Sequence, residues 1–253
     1  MMATLQWLKQ LSGYALASLA LAVAWEVGAR PDGLWHPTAL AAVSLGAAAI
    51  LLLQLSSAEL ACFGHRAEAA RPEVIEKRLV ELASRHKISG TRGMEAELLV
   101  ARDAIEHRGL ALLADGCRSA EVAASLRHLA GHLDADDLAP CRAWRAAGAA
   151  LVNAGLLTTV TALVRLLLVT PAGPTPEALA GALTGTVYGL LPGLLICQPL
   201  AAERRRAASA AALARAMWIE GLTAIGDGIH PRRLADRLAC VTPPQRGRWA
   251  RAA

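Results

Sequence analysis

Ala178-Leu-Ala-Gly-Ala-Leu-Thr-Gly-Thr-Val-Tyr-Gly-Leu-Leu-Pro-Gly-Leu-Leu-Ile-Cys-Gln-Pro-Leu-Ala-Ala202 runs without a charged side chain. At about 1.5 Å of rise per residue, a helix of this length crosses a hydrocarbon core of roughly 30 Å. Glycines, hydroxyls and prolines are spread through it: Gly181, Thr184, Gly185, Thr186, Gly189, Pro192, Gly193 and Pro199. Such a span packs closely against a neighbour or borders a path, because small residues let backbones approach and hydroxyls bond across helices.

Three further apolar blocks have spanning length: Leu11–Gly28, Pro37–Ala58 and Ala146–Val169. They account for a composition that is 55% hydrophobic and a mean hydropathy of +0.37, above the soluble norm of about 45–50% apolar. The expected fold is all-α: four transmembrane helices and a helical cytoplasmic domain. The expected boundaries are a cytoplasmic N-terminus at 1–10, helices 1 and 2 within 11–58, and a cytoplasmic helical loop at 59–145. Helices 3 and 4 follow within 146–202, and a cytoplasmic tail occupies 203–253.

The net charge of +5 is positional. Of the 26 Lys and Arg, all but Arg30 and Arg165 precede Leu11, lie in 59–145, or follow Ala202. Four spans put those three regions on one side, and clustered Lys and Arg mark that side as cytoplasmic. The charge therefore argues for topology, and no nucleic acid is expected. Arg204-Arg205-Arg206 at the inner face fixes orientation and meets anionic lipid. Glu26, near the outer end of the first block, is read as interfacial, and Arg165, near the outer end of the third, as snorkelling. The first block could imitate a signal peptide, but the second span follows closely and cleavage would leave an odd number of spans.

The five cysteines include no Cys-x-x-Cys pair, so neither a disulfide framework nor a zinc site is expected. No nucleophile–base pair or phosphate-binding glycine loop is present, and neither an enzyme nor a cofactor is expected. In the polar regions, helices are read over Val74–Arg85, Met94–Leu113, Ala120–Leu133 and Glu203–Gly221. Asp134 to Asp137 is read as a break before Pro140.

The third and fourth spans hold no Asp, Glu or His in their interiors. Their hydroxyls at Thr158, Thr159 and Thr186 serve either as a packing face or as the lining of a hydrated path. Cation transport generally needs a buried carboxylate, so a conducting role requires that group from another chain.

Several stretches resemble the MotA-type subunit of the bacterial flagellar stator, within the MotA/TolQ/ExbB proton-channel group. They are His36-Pro37-Thr-Ala-Leu…Gly46, Val80–Glu95, Gly155-Leu-Leu-Thr-Thr159-Val160, Gly185-Thr186-Val-Tyr-Gly189, Pro199-Leu-Ala201, Glu220-Gly-Leu-Thr-Ala-Ile…Pro231-Arg232 and Pro243-Pro244. The resemblance implies five copies around a MotB-like single-span partner that brings the ion-binding Asp. It places Thr159, Thr186 and Thr158 on the ion path and makes Pro199 the element of conformational coupling. Lys87 and Glu95 become the charges facing a FliG-like rotor protein. It also implies a multi-pass inner-membrane protein with both termini in the cytoplasm. The sequence departs from the pattern at Thr91 and Arg92, where hydrophobics are expected, and at Lys87, which replaces Arg and gives up a planar fork of donors. Gly185 beside Thr186, instead of a second Thr, favours protons over sodium. An ExbB/TolQ-like channel energising a non-flagellar process and a structural scaffold are the alternative readings.

Overall fold

The computed structural model describes residues 36–65, 67, 71–90, 92–101, 103–169 and 175–241. Every regular element among them is helical: α1 (Pro37–Gln54), α2 (Ser57–Ala61), α3 (Pro72–Ser89), α4 (Arg92–Leu98), α5 (Ala104–Ala114), α6 (Ser119–Val169), α7 (Pro176–Pro192), α8 (Gln198–Gly226) and α9 (Pro231–Val241). A π-helical turn, Gly193–Cys197, joins α7 to α8. Three helices among the described residues are long and apolar enough to cross a membrane, with spans in α1, in α6 and in the run Ala178–Gly226. The first apolar block, Glu26 and Pro243-Pro244 lie outside the described residues.

The described residues form two compact units. One comprises 36–64 and 140–203; the other comprises 65–139 and 204–241. In the first, α1 starts at Pro37, where a proline costs no helical hydrogen bond. Val43 and Ala47 of α1 are buried against Ala150 and Ala154 of α6. Leu45, Leu52 and Leu53 of the same helix are 72%, 68% and 89% exposed. Exposed leucines around a seam of small residues suit a helix whose outer face meets lipid rather than water. After α1, Ser56 and Glu59 form a reciprocal capping box that starts α2. The Ser56 amide and hydroxyl both donate to Glu59 and hold its carboxyl below the ordinary range. Trp144 of α6 donates its indole N–H to the Phe63 carbonyl at 3.2 Å, with the two rings edge to face.

The second unit is built like a soluble helical domain. Ile75, Leu79 and Leu82 recur at helical spacing on α3 and are fully buried. They join Met94, Ile105, Leu110, Leu126, Met217, Leu222, Leu234 and Leu238 in one core.

Two boundaries differ from the sequence reading. The expected helix Met94–Leu113 is two helices, because Asp103 accepts from the Ile105 amide at 2.8 Å and caps a new start. The expected break at Asp134–Asp137 is absent, and α6 continues through it and through Pro140. Asp134 and Asp137 lie on one helix face, and Arg215 of α8 bonds to both. That pairing satisfies carboxylates that would otherwise compete for backbone donors.

Candidate functional site

The site is the seam between α6 and α7, within the first unit. A Cβ placed on Gly155 would lie 2.7 Å from the Gly185 carbonyl oxygen and 3.0 Å from the Gly189 Cα. One placed on Gly189 would lie 2.4 Å from the Leu151 carbonyl oxygen and 2.9 Å from the Gly155 Cα. The two helices therefore touch backbone to backbone, as only glycine permits. The contact continues at Gly148 and Gly193, where each meets the other's carbonyl oxygen within 3.3 Å of an added Cβ.

This approach sets the hydroxyls. Thr159 Oγ1 lies 2.6 Å from Thr186 Oγ1, and Thr159 also donates to the Gly155 carbonyl at 3.0 Å. A hydroxyl has one proton, so satisfying both bonds makes Thr186 the donor to Thr159. Thr186 then has only lone pairs to offer. These can accept from water or coordinate a hard cation, but they cannot titrate. Thr159 is buried and Thr186 half-buried. Thr158 is turned differently. Its hydroxyl donates to the Ala154 carbonyl at 2.8 Å, and its methyl would lie 3.1 Å from a Cβ on Gly185. The structure thus brings Thr159 and Thr186 together and leaves Thr158 on a separate packing contact.

Pro199 follows the π turn. The Gln198 amide donates to the Gly193 carbonyl across the wide turn. Pro199 has no N–H to give the ladder, and a wider turn accommodates its ring where an α-turn would clash with the carbonyl four residues back. The junction between α7 and α8 is therefore a local irregularity with Pro192 on one side and Pro199 on the other.

Lys87 and Glu95 are exposed, on α3 and α4 on either side of Gly90, whose φ of 62° lies in the left-handed region. Beneath them is a charge network that sequence reasoning missed. Arg78 Nε donates to Glu106 at 2.9 Å. Its Nη2 lies 2.8 Å from a Glu97 oxygen, an ion pair without hydrogen-bond geometry. Arg85 bonds Glu81 at 2.7 Å and also Glu97. Glu97 and Glu106 are 3% and 5% exposed. Burial works against the charge on Arg78, and the Glu106 and Glu97 carboxylates more than offset it, leaving its pKa raised. The only sequence signal for this network was charge at apolar-face spacing. No grouping of three or more His, Cys, Asp or Glu able to hold a metal exists among the described residues.

No protein-family profile matches the chain. The chain is similar to Motility protein A from two strains of Helicobacter pylori, at 27% identity over 170 residues. That stretch is 66% of this chain and 66% of the relative, just under two thirds of its length. Two solved structures share the fold. The match to C. jejuni MotAB has a TM-score of 0.78 at 18% identity, covering 94% of this chain and 96% of that one. The match to the flagellar MotAB stator complex from Bacillus subtilis has a TM-score of 0.80 at 21% identity, covering 96% and 98%. The resemblance to the MotA-type stator subunit, first drawn from short motifs along the chain, therefore holds in both sequence and fold.

Proposed function

We propose that the chain is the ion-path subunit of a flagellar stator, working with a MotB-like single-span partner. The observation that carries the reading is the Thr159–Thr186 contact, set in two apolar spans, 146–169 and 178–202, whose interiors hold no acid. Oxygens that can accept but not titrate complement a partner's aspartate: the aspartate takes the ion, and the hydroxyls hold its water or its shell. Protons are the favoured ion. Several copies, five on the family pattern, surround the partner, both termini lie in the cytoplasm, and Pro199 passes the change in the path to α8. Lys87 and Glu95 are the charges offered to a FliG-like rotor protein.

Coexpression with the single-span product of the neighbouring gene in a stator-null cell tests this. The wild-type pair restores swimming. Thr186→Val keeps shape but removes the oxygen, and a hydrogen bond to a charged group is worth about 1.5–3 kcal/mol, so ion flux falls about 10- to 100-fold. Thr186→Ser retains most of it. Normal swimming with Thr186→Val in an assembled complex refutes the path.

The rotor contact has its own check. Lys87→Glu and Glu95→Lys leave the amount of assembled complex and its ion flux unchanged and reduce torque in tethered-cell rotation. Both side chains are exposed, so neither change disturbs the core. Unaltered torque in both variants removes these residues from the interface.

A further inference from the structure

Helix α4, Arg92–Leu98, is too short to stand alone, since isolated helices below about 12–15 residues are marginal in water. What it packs on therefore decides where its exposed Glu95 is held. Its attachments within the second unit are of two kinds. The first is packing. Met94 is fully buried in the core, and Leu98 packs against that core. Gly93 lies close on the end of α3, where an added Cβ would be 2.7 Å from the Ser89 Cβ.

The second is charge. Glu97 is 3% exposed, and its two oxygens face different arginines of one helix. Arg85 donates to Oε1, and Arg78 Nη2 lies 2.8 Å from Oε2. Arg78 and Arg85 are seven residues apart on α3, which returns them to one helix face about two turns apart. Arg78 is itself tied to α5, donating from Nε to Glu106 at 2.9 Å, and Arg85 is tied to its own helix through Glu81 at 2.7 Å. Burial at Met94 and Leu98 attaches α4 without fixing a direction, because the hydrophobic effect is not directional. A carboxylate between two planar donor forks is held in a defined geometry. The charge at 97 therefore sets the register of α4 against α3. Lys87 stands two residues after Arg85, and Glu95 two before Glu97. A slip of α4 along α3 changes the spacing of these two exposed charges.

We propose that Glu97 is a positioning residue for that exposed pair: held between Arg78 and Arg85, it fixes where Glu95 stands relative to Lys87. This rests on the reading that Lys87 and Glu95 meet a rotor protein.

Amide exchange of the full chain in phosphatidylethanolamine–phosphatidylglycerol nanodiscs reads the clamp, and tethered-cell rotation reads its use. Glu97→Gln keeps the shape and removes the charge. Exchange across 94–101, where the Val100 and Ala101 amides donate to the Glu97 carbonyl, speeds up by about 10- to 100-fold, the loss of one hydrogen bond to a charged group. Amides around Leu126 and Leu222, in the core of the same unit, keep their wild-type rates. Torque falls severalfold, while ion flux and the amount of assembled complex stay unchanged. Arg85→Gln keeps the outcome readable if Glu97→Gln folds poorly. The Arg85 side chain is 51% exposed, and its loss leaves Arg78 on the carboxylate. The same segment then speeds up by a smaller factor, and Arg85→Lys restores most of the protection. Unchanged exchange in both variants, or faster exchange around Leu126 and Leu222 as well, overturns the clamp. Torque lost together with flux or assembly, or faster exchange with normal torque, overturns the positioning role. The rotor reading fails separately, when Lys87→Glu and Glu95→Lys also leave torque unaltered.

Discussion

Gly189→Ala lowers the stability of the membrane unit by about 3 kcal/mol, at the upper end for overpacking, and abolishes motility in the complementation assay. The added methyl meets the Leu151 carbonyl oxygen at 2.4 Å and the Gly155 Cα at 2.9 Å. Both obstacles are backbone, so no rotamer change relieves them and the helices must separate. Separation also parts Thr159 from Thr186, so function falls with stability. Gly131→Ala is the control. That glycine lies in α6, the helix Gly189 packs against, with nothing within 4 Å of its would-be Cβ, and alanine there adds about 0.5–1 kcal/mol of stability. Thermal midpoints of the two purified variants decide the matter. If Gly189→Ala melts with Gly131→Ala, the two backbones are not in contact.

Arg215→Met costs about 3–5 kcal/mol, the usual price of stranding a buried carboxylate. Arg215 and Asp137 have side chains 12% and 10% exposed, and His65 Nε2, at 3.8 Å from Asp137, is too exposed to replace the guanidinium. Asp134, at 39% exposed, is rescued by water and adds little. Arg215→Met with Asp137→Leu removes both charges together and recovers most of the loss, since apolar replacement of a whole pair is often neutral. Denaturant midpoints of the three chains measure this, and equal stability of the single variant and wild type rejects the role. Burial disfavours the Arg215 charge, and Asp137 and Asp134 outweigh it, so its pKa is raised. A raised basic pKa contributes stability that is complete below the ordinary arginine value and is lost only as pH rises through the folded one. On the arginine's account, the gap between wild type and Arg215→Met is therefore flat across neutral and mildly alkaline pH.

Much of the helical content was legible because its causes are local. Pro37 opens a helix where a missing N–H costs nothing, and Ile75, Leu79 and Leu82 recur at the helical period. The start of α5 at Asp103 was also a local signal, an N-cap residue before an apolar run, but it was overridden by the apolar period on either side. Leu98 and Leu99 looked equivalent in that period. In the structure, Leu98 packs on the core while Leu99, just past the end of α4, is 91% exposed.

The candidate site was legible in residue type but not in pairing. Thr159 and Thr186 stood out in the sequence with Thr158 beside them, but only the structure shows that Thr159 and Thr186 meet while Thr158 turns its hydroxyl to the Ala154 carbonyl. Asp134-Ala-Asp-Asp137 reads as a helix breaker when its neighbours are all that is known. Arg215, 78 residues beyond Asp137, turns the same aspartates into the middle of a long helix.

By itself the sequence determined which segments are apolar, where charge is absent and where helices begin, since each depends on residues a few positions apart. The tertiary structure alone decided which glycines meet, which hydroxyl donates to which, and which acids are neutralised. Those outcomes depend on atoms that chain folding brings within about 3 Å from opposite ends of long helices.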